Sequence, residues 1–154
     1  MSNEMFLEFD AISSNEGFAR VAVAAFISSL NPTLEEVSDV KTAVSEAVTN
    51  AIIHGYENVE DKKGQKSEKV VIHGIITGDV LHIEVRDTGK GIANVEQAME
   101  PLFTTKPELE RSGMGFAFME AFMDDLEVES APDKGTRVLM KKKIGSSSWI
   151  SCEE

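Results

Sequence analysis

The sequence predicts an α+β fold, a two-layer α/β sandwich with helices on one face of a mixed or antiparallel sheet. Three observations carry this expectation. Stretches with strand-like patterning and stretches with helical spacing alternate in the order β-α-α-β-β-loop-α-β-β. Two turn signals, Thr77-Gly78-Asp79 and Pro132-Asp133-Lys134-Gly135, each join two strands into a hairpin. The apolar residues of the second helix form one stripe, as a helix lying on a sheet requires.

In chain order, Met5–Ile12 alternates apolar and polar residues and reads as a short strand. Ser13-Ser14-Asn15 offers N-cap oxygens before a helix from Glu16 to Leu30, which Asn31-Pro32 stops. From Phe18 to Ile27 this helix is apolar all round except for Arg20, which implies burial on both sides or a partner surface. Thr33-x-x-Glu36 has capping-box spacing. The helix it opens carries Val37, Val40, Val44, Val48, Ala51 and Ile52 on its stripe and ends near His54-Gly55.

Tyr56–Ser67 is a polar loop, and Val70–Ile76 and Val80–Arg86 are strands. Asp87–Ser112 is a long connection rich in Gly, Thr and Pro, with one helical turn around Val95–Met99. A connection of that length is usually functional. Gly113–Met123 reads as a helix entered through glycine, and Leu126–Ser130 and Thr136–Lys143 close the pattern.

Length and charge narrow the function. A chain of 154 residues fits one domain, expected over 1–144, with a polar tail over 145–154. The net charge of −12 makes phosphodiester backbones and anionic membranes poor partners, and a basic protein a better one. The single cysteine, Cys152, excludes a disulfide framework or a multi-cysteine zinc site. No signal peptide and no apolar run near about 18 residues is present, so a soluble, cytoplasmic protein is expected.

Four segments carry the chemistry. Glu46, Asn50 and His54 recur every four residues along one side of the second helix. A carboxylate and a carboxamide one turn apart suit a divalent cation or a proton acceptor beside a phosphate; the plain alternative is a polar rim. Asp87-Thr-Gly-Lys-Gly91 follows a strand, where Gly89 and Gly91 permit positive φ and close approach to a ligand. Asp87 there suits an exocyclic amine such as adenine N6, or caps a simple turn. Ser112-Gly113-Met114-Gly115-Phe116 opens a helix whose first N–H groups form an anion site. It is neither the P-loop nor the dinucleotide pattern. Gly135-Thr136 opens the last strand, with Thr136 on the face of Val138 and Met140 at the core edge.

In joint order and spacing these segments resemble the GHKL (Bergerat) superfamily of ATP-binding domains, over roughly residues 5–143. Within it the stretches Ser45–His54 and Pro101–Phe116 look most like the small anti-sigma factor and serine protein kinase group. The resemblance implies Mg²⁺ on Asn50, a base at Glu46, and adenine on Asp87 with support from Thr136. Gly89 and Gly91 then line the adenosine side. Gly113, Met114, Gly115 and Phe116 present N–H groups to the phosphates, with Thr104, Thr105 and Lys106 in a lid above. Lys90 and Arg111 stay outside the set, and His54, His73 and His82 are expected to be structural.

The implied activity is an ATP-dependent serine kinase that binds an RNA polymerase sigma factor and phosphorylates an anti-anti-sigma protein. The implied assembly is a homodimer built on N-terminal elements, and Arg20 matches a position at the surface used by both protein partners. No direct contact to nucleic acid or membrane is implied. The alternatives are a stress-response switch kinase for another sigma factor and a nucleotide-gated binding module without kinase activity.

Overall fold

The computed structural model describes residues 2–55, 68–89, 91, 92, 95, 99 and 115–145. Strand β1 (Ser2–Asp10) leads into helix α1 (Asn15–Ile27), which tightens into a 3₁₀ turn over Ser28–Leu30. Asn31 ends that turn at φ 53°, a left-handed conformation that asparagine tolerates, and Pro32 prevents continuation. Helix α2 (Leu34–Asn50) runs on into a π turn over Ala51–Gly55. Strands β2 (Lys69–Thr77) and β3 (Val80–Asp87), helix α3 (Gly115–Phe122), and strands β4 (Asp125–Ser130) and β5 (Thr136–Lys143) complete the order.

Both ends of the first helices show how local chemistry sets them. Ser14 makes no side-chain capping bond, contrary to the N-cap expectation. The Asn15 and Glu16 N–H groups instead donate to the Ile12 and Ser13 carbonyls, and Asn15 Nδ2 donates to Asp10 O at 2.9 Å. A main-chain turn therefore already satisfies the first donors. At α2 the capping box is complete. The Glu36 N–H donates to Thr33 Oγ1 at 3.0 Å, and the Thr33 N–H donates to Glu36 Oε1 at 2.9 Å. Such a cap contributes about 1 kcal/mol. The buried Glu36 carboxylate also accepts the Gly145 N–H at 3.1 Å, which ties the end of β5 to the start of α2.

The sheet order is β1-β2-β3-β5-β4, and all four pairings are antiparallel, so of the two arrangements expected the sheet takes the unmixed one. The β2–β3 hairpin closes with Thr77 opposite Val80, and Gly78 at φ 64° takes the first loop position that such tight turns reserve for glycine. Val70, Ile72 and Ile76 of β2, Leu81, Ile83 and Val85 of β3, and Val138 and Met140 of β5 are buried on one face. Ala19, Val23 and Ile27 of α1, Val40, Val44 and Val48 of α2, and Met119 of α3 cover them. Gly74 leaves room for the α1 residue Phe26, whose ring would lie 3.0 Å from a Cβ there.

The opposite sheet face is solvated and charged. The ring of Phe6 stacks on His73 at 4.0 Å, His73 Nε2 meets Glu4 at 2.6 Å, and Arg137 bridges Glu84 and Glu129. His73 is thus a structural residue, as expected. The first helix is not buried on both sides within this chain, since Phe18 and Val21 are 52% and 63% exposed while Val23 and Ile27 are fully buried.

Candidate functional site

The phosphate-side candidates come together around Gly115. Glu46 and Asn50 lie on the last turns of α2, half-buried, and α2 packs against α3. A Cβ added at Gly115 would stand 3.0 Å from Asn50 Nδ2, 3.4 Å from Asn50 Oδ1 and 3.4 Å from Glu46 Oε1. Both polar side chains therefore converge on the backbone that opens α3. Gly115 has no left-handed φ, so glycine is needed there for space alone. Gly115 and Phe116 open the described part of α3, the end at which a helix directs its N–H groups and positive dipole outward.

The other half lies at one end of three strands. Asp87 ends β3 and pairs with Thr136 on β5, which pairs in turn with Ser130 on β4. Asp87 is 6% exposed. Its Oδ1 accepts the Gly89 N–H at 2.9 Å, and its carboxylate also accepts the Thr136 backbone N–H. Burial pushes its pKa up from 3.8 to about 6, against the opposing pull of these two hydrogen bonds. The Thr136 side chain lies on the core side with Val138 and Met140, as expected.

Glycine at this end allows backbones to touch. Gly91 adopts φ 77°, and a Cβ on it would penetrate the Ala131 carbonyl. Gly135 adopts φ 80°, and a Cβ there would penetrate the Asp87 carbonyl. Gly89, which would permit positive φ, does not take it; its contribution is the N–H that caps Asp87. Thr104, Thr105, Lys106, Gly113 and Met114 lie outside the described residues, as do Lys90 and Arg111.

Two features escaped the sequence reading. The π turn over Ala51–Gly55 continues α2 directly after Asn50 and meets β3, so it links the two halves of the site. Such turns recur at functional sites, and no residue pattern distinguishes this one from a further α-helical turn. Ser130 is the second. Its hydroxyl touches Ile92, Gly135 and Thr136, a role that only the β4–β5 register reveals.

Arg20 stands apart from this site on α1. Its side chain is 43% exposed and pairs with Glu16 at 3.6 Å, while Glu16 also accepts a hydrogen bond from Ser45 on α2. Among the described residues no cluster of His, Cys, Asp and Glu is arranged to hold a metal ion, and no helix is long and apolar enough to cross a membrane.

Residues 13–142 match the family of histidine kinase-like ATPase domains. The chain is 61% identical over 146 residues to the anti-sigma F factor of Clostridium perfringens, covering 95% of this chain and 100% of that one. The chain belongs to the anti-sigma F factor family. Its likeness to the anti-sigma F factor of Geobacillus thermodenitrificans is 58% over 150 residues, and to that of Oceanobacillus iheyensis 53% over 150 residues. These cover 97% of this chain and 99% of each relative.

The fold of this anti-sigma F family member also matches the crystal structure of the RsbU and RsbW domains of a Mycobacterium tuberculosis protein. The TM-score is 0.64 at 17% identity, over 92% of this chain and 32% of that longer one. The described helices on a five-stranded antiparallel sheet thus form an architecture that persists where little sequence is shared.

Proposed function

We propose that this chain is an ATP-dependent serine kinase that inhibits a sporulation RNA polymerase sigma factor and phosphorylates a serine of its anti-anti-sigma antagonist. Near-full-length identity to anti-sigma F factors supports the biological role. The observation that carries the chemistry is the convergence of Glu46 and Asn50 on Gly115.

The residues present fit Mg-ATP. The space kept open at Gly115 is a cradle that a single methyl group would fill, and it is lined by a carboxylate, a carboxamide and helix-opening N–H groups. Asn50 would hold Mg²⁺ through its amide oxygen. Gly113, Met114, Gly115 and Phe116 would hold the phosphates, with Thr104, Thr105 and Lys106 above them. Asp87 and Thr136 would take the adenine, and Gly89 and Gly91 would shape the wall beside the ribose. When bound, Mg-ATP supplies the transferable γ-phosphoryl group.

Glu46 then accepts the proton of the partner's serine hydroxyl as the serine oxygen attacks, and ADP leaves. A positioned base of this kind adds about 10²–10⁴-fold, with positioning supplying the remainder. The domain spans residues 1–144, with 145–154 as a polar C-terminal tail, and the protein acts in the cytoplasm. Arg20, flanked by the exposed Phe18 and Val21, anchors the two protein partners. A homodimer forms through N-terminal elements, where β1 is a sheet edge. An acidic chain of net charge −12 suits a basic sigma factor.

The experiment mixes the purified chain, an anti-anti-sigma protein, Mg²⁺ and γ-labelled ATP, with Glu46→Gln alongside. Label on a partner serine that falls by at least about a hundredfold in the variant, at retained ATP affinity, is expected. Normal transfer by Glu46→Gln overturns the base assignment. Tight ATP binding without any transfer overturns the kinase and leaves a nucleotide-gated binding module.

A further inference from the structure

We infer that Ser130 is a positioning residue that fixes the Thr136 hydroxyl as a hydrogen-bond acceptor and so sets the preference of the site for a 6-amino over a 6-oxo purine. The inference rests on the proposed ATP site at Asp87 and Thr136 and specifies how that site chooses its base.

The argument is one of counting protons. The Ser130 oxygen lies 2.8 Å from Gly135 O, 2.7 Å from Ile92 N and 2.9 Å from Thr136 Oγ1. A serine hydroxyl has one hydrogen to give and two lone pairs to receive. The Gly135 carbonyl can only accept, so it takes the Ser130 hydrogen. The Ile92 N–H can only donate, so it takes one lone pair. The remaining lone pair must receive the Thr136 hydroxyl hydrogen. Ser130 is then saturated, and Thr136 Oγ1 has only lone pairs left for anything else.

Asp87 stands beside Thr136 in the same cross-strand row, and its ionised carboxylate is likewise an acceptor. With Ser130 saturated behind them, Asp87 and Thr136 therefore present acceptors alone at the open end of β3 and β5. An adenine amino group, directly or through one water, supplies the donors that such a row needs. The 6-oxo group of hypoxanthine or guanine brings another acceptor, leaving like dipoles unpaired in a half-buried site, the mismatch that binding sites reject most strongly. The bond from Ser130 to Ile92 also clamps the segment after Gly91 onto the β4–β5 turn, so the hydroxyl fixes both polarity and wall position.

The test measures ATP and inosine triphosphate affinities for wild type, Ser130→Ala, Thr136→Val and the double variant, with circular dichroism to check folding. Removing the Ser130 hydroxyl frees Thr136 to turn and donate. The expected result is an ATP-to-ITP preference about tenfold lower in Ser130→Ala, restored in Ser130→Thr. Because the effect runs through Thr136, Ser130→Ala should lower the preference no further in the Thr136→Val background.

A merely structural Ser130 would weaken both nucleotides alike and add to Thr136→Val, and either outcome overturns the proposal. Should Ser130→Ala fail to fold, Ser130→Cys, which fills the space with a weak donor and acceptor, gives the same readout. A wild-type chain that binds neither nucleotide refutes the ATP site itself. A wild type that prefers ATP by a ratio the Ser130 variants leave unaltered refutes the Ser130 role alone.

Discussion

Replacing Gly115 by alanine separates what the glycine does for folding from what it does for the ligand. The new methyl would stand 3.0 Å from Asn50 Nδ2 and 3.4 Å from Asn50 Oδ1 and Glu46 Oε1, so the Asn50 amide must yield by a few tenths of an ångström while Glu46 comes into ordinary contact. Yielding strains the Asn50 rotamer, at up to about 0.5–1.5 kcal/mol. Alanine at the first residue of α3 offsets this with a gain of up to about 1 kcal/mol in helix propensity, and no left-handed φ opposes it. The free chain should melt within about 4 °C of wild type.

Ligand binding has no such offset. The methyl occupies the cradle and turns the Asn50 amide from its position, so one hydrogen bond to a charged group is lost, at about 1.5–3 kcal/mol. Mg-ATP affinity should therefore fall about ten- to hundredfold. Isothermal titration reads the affinity, and thermal melts with and without saturating nucleotide read the same difference through linkage. An affinity within twofold of wild type in a normally melting variant refutes the convergence of Glu46 and Asn50 on the ligand.

Two further outcomes follow from the same geometry. Burial holds Asp87 at about 6, so below that pH it carries a proton and ceases to be a pure acceptor; ATP affinity should fall towards tenfold per pH unit, and a flat titration between pH 7.5 and 5 refutes the adenine assignment. Arg20→Glu removes an exposed ion pair with Glu16, which contributes only about 0.3–0.5 kcal/mol, so ATP affinity and melting stay level while capture of both the sigma factor and its antagonist weakens; unaltered capture refutes the interface role.

The parts of the fold legible in the sequence are those decided within a few residues. The Thr33/Glu36 box and the Gly78 turn depend on local spacing, and both stand as expected. Glu46 and Asn50 were legible because a helix converts a spacing of four into one side. What remained hidden depends on pairing between distant strands. That β5 inserts between β3 and β4 is set by register, and only this insertion aligns Asp87, Thr136 and Ser130. Nor does sequence distinguish Gly89 from Gly91. One donates to a side chain and the other makes room for the Ala131 carbonyl, and both read simply as glycine.

The two halves of the site rest on different kinds of support, and this bears on how binding is transmitted. At the Asp87 end, backbones in contact at Gly91 and Gly135 and a saturated Ser130 leave little freedom, so the proposed selectivity would be set before a ligand arrives. A buried carboxylate held at about 6 is itself unfavourable above that pH. Relative to an unfolded value of 3.8, Asp87 favours the folded state at low pH and loses that contribution as pH rises through about 6. At neutral pH this amounts to a cost on the order of 3 kcal/mol in the free chain, which a donor on the ligand can relieve. At the Gly115 end, by contrast, Glu46 and Asn50 are side chains on a helix that also packs against α1, where Glu16 joins Arg20 to Ser45. One carboxylate, Glu16, thus joins the helix that carries Glu46 and Asn50 to the Arg20 surface, so a shift of α2 on filling the cradle would reach that surface directly.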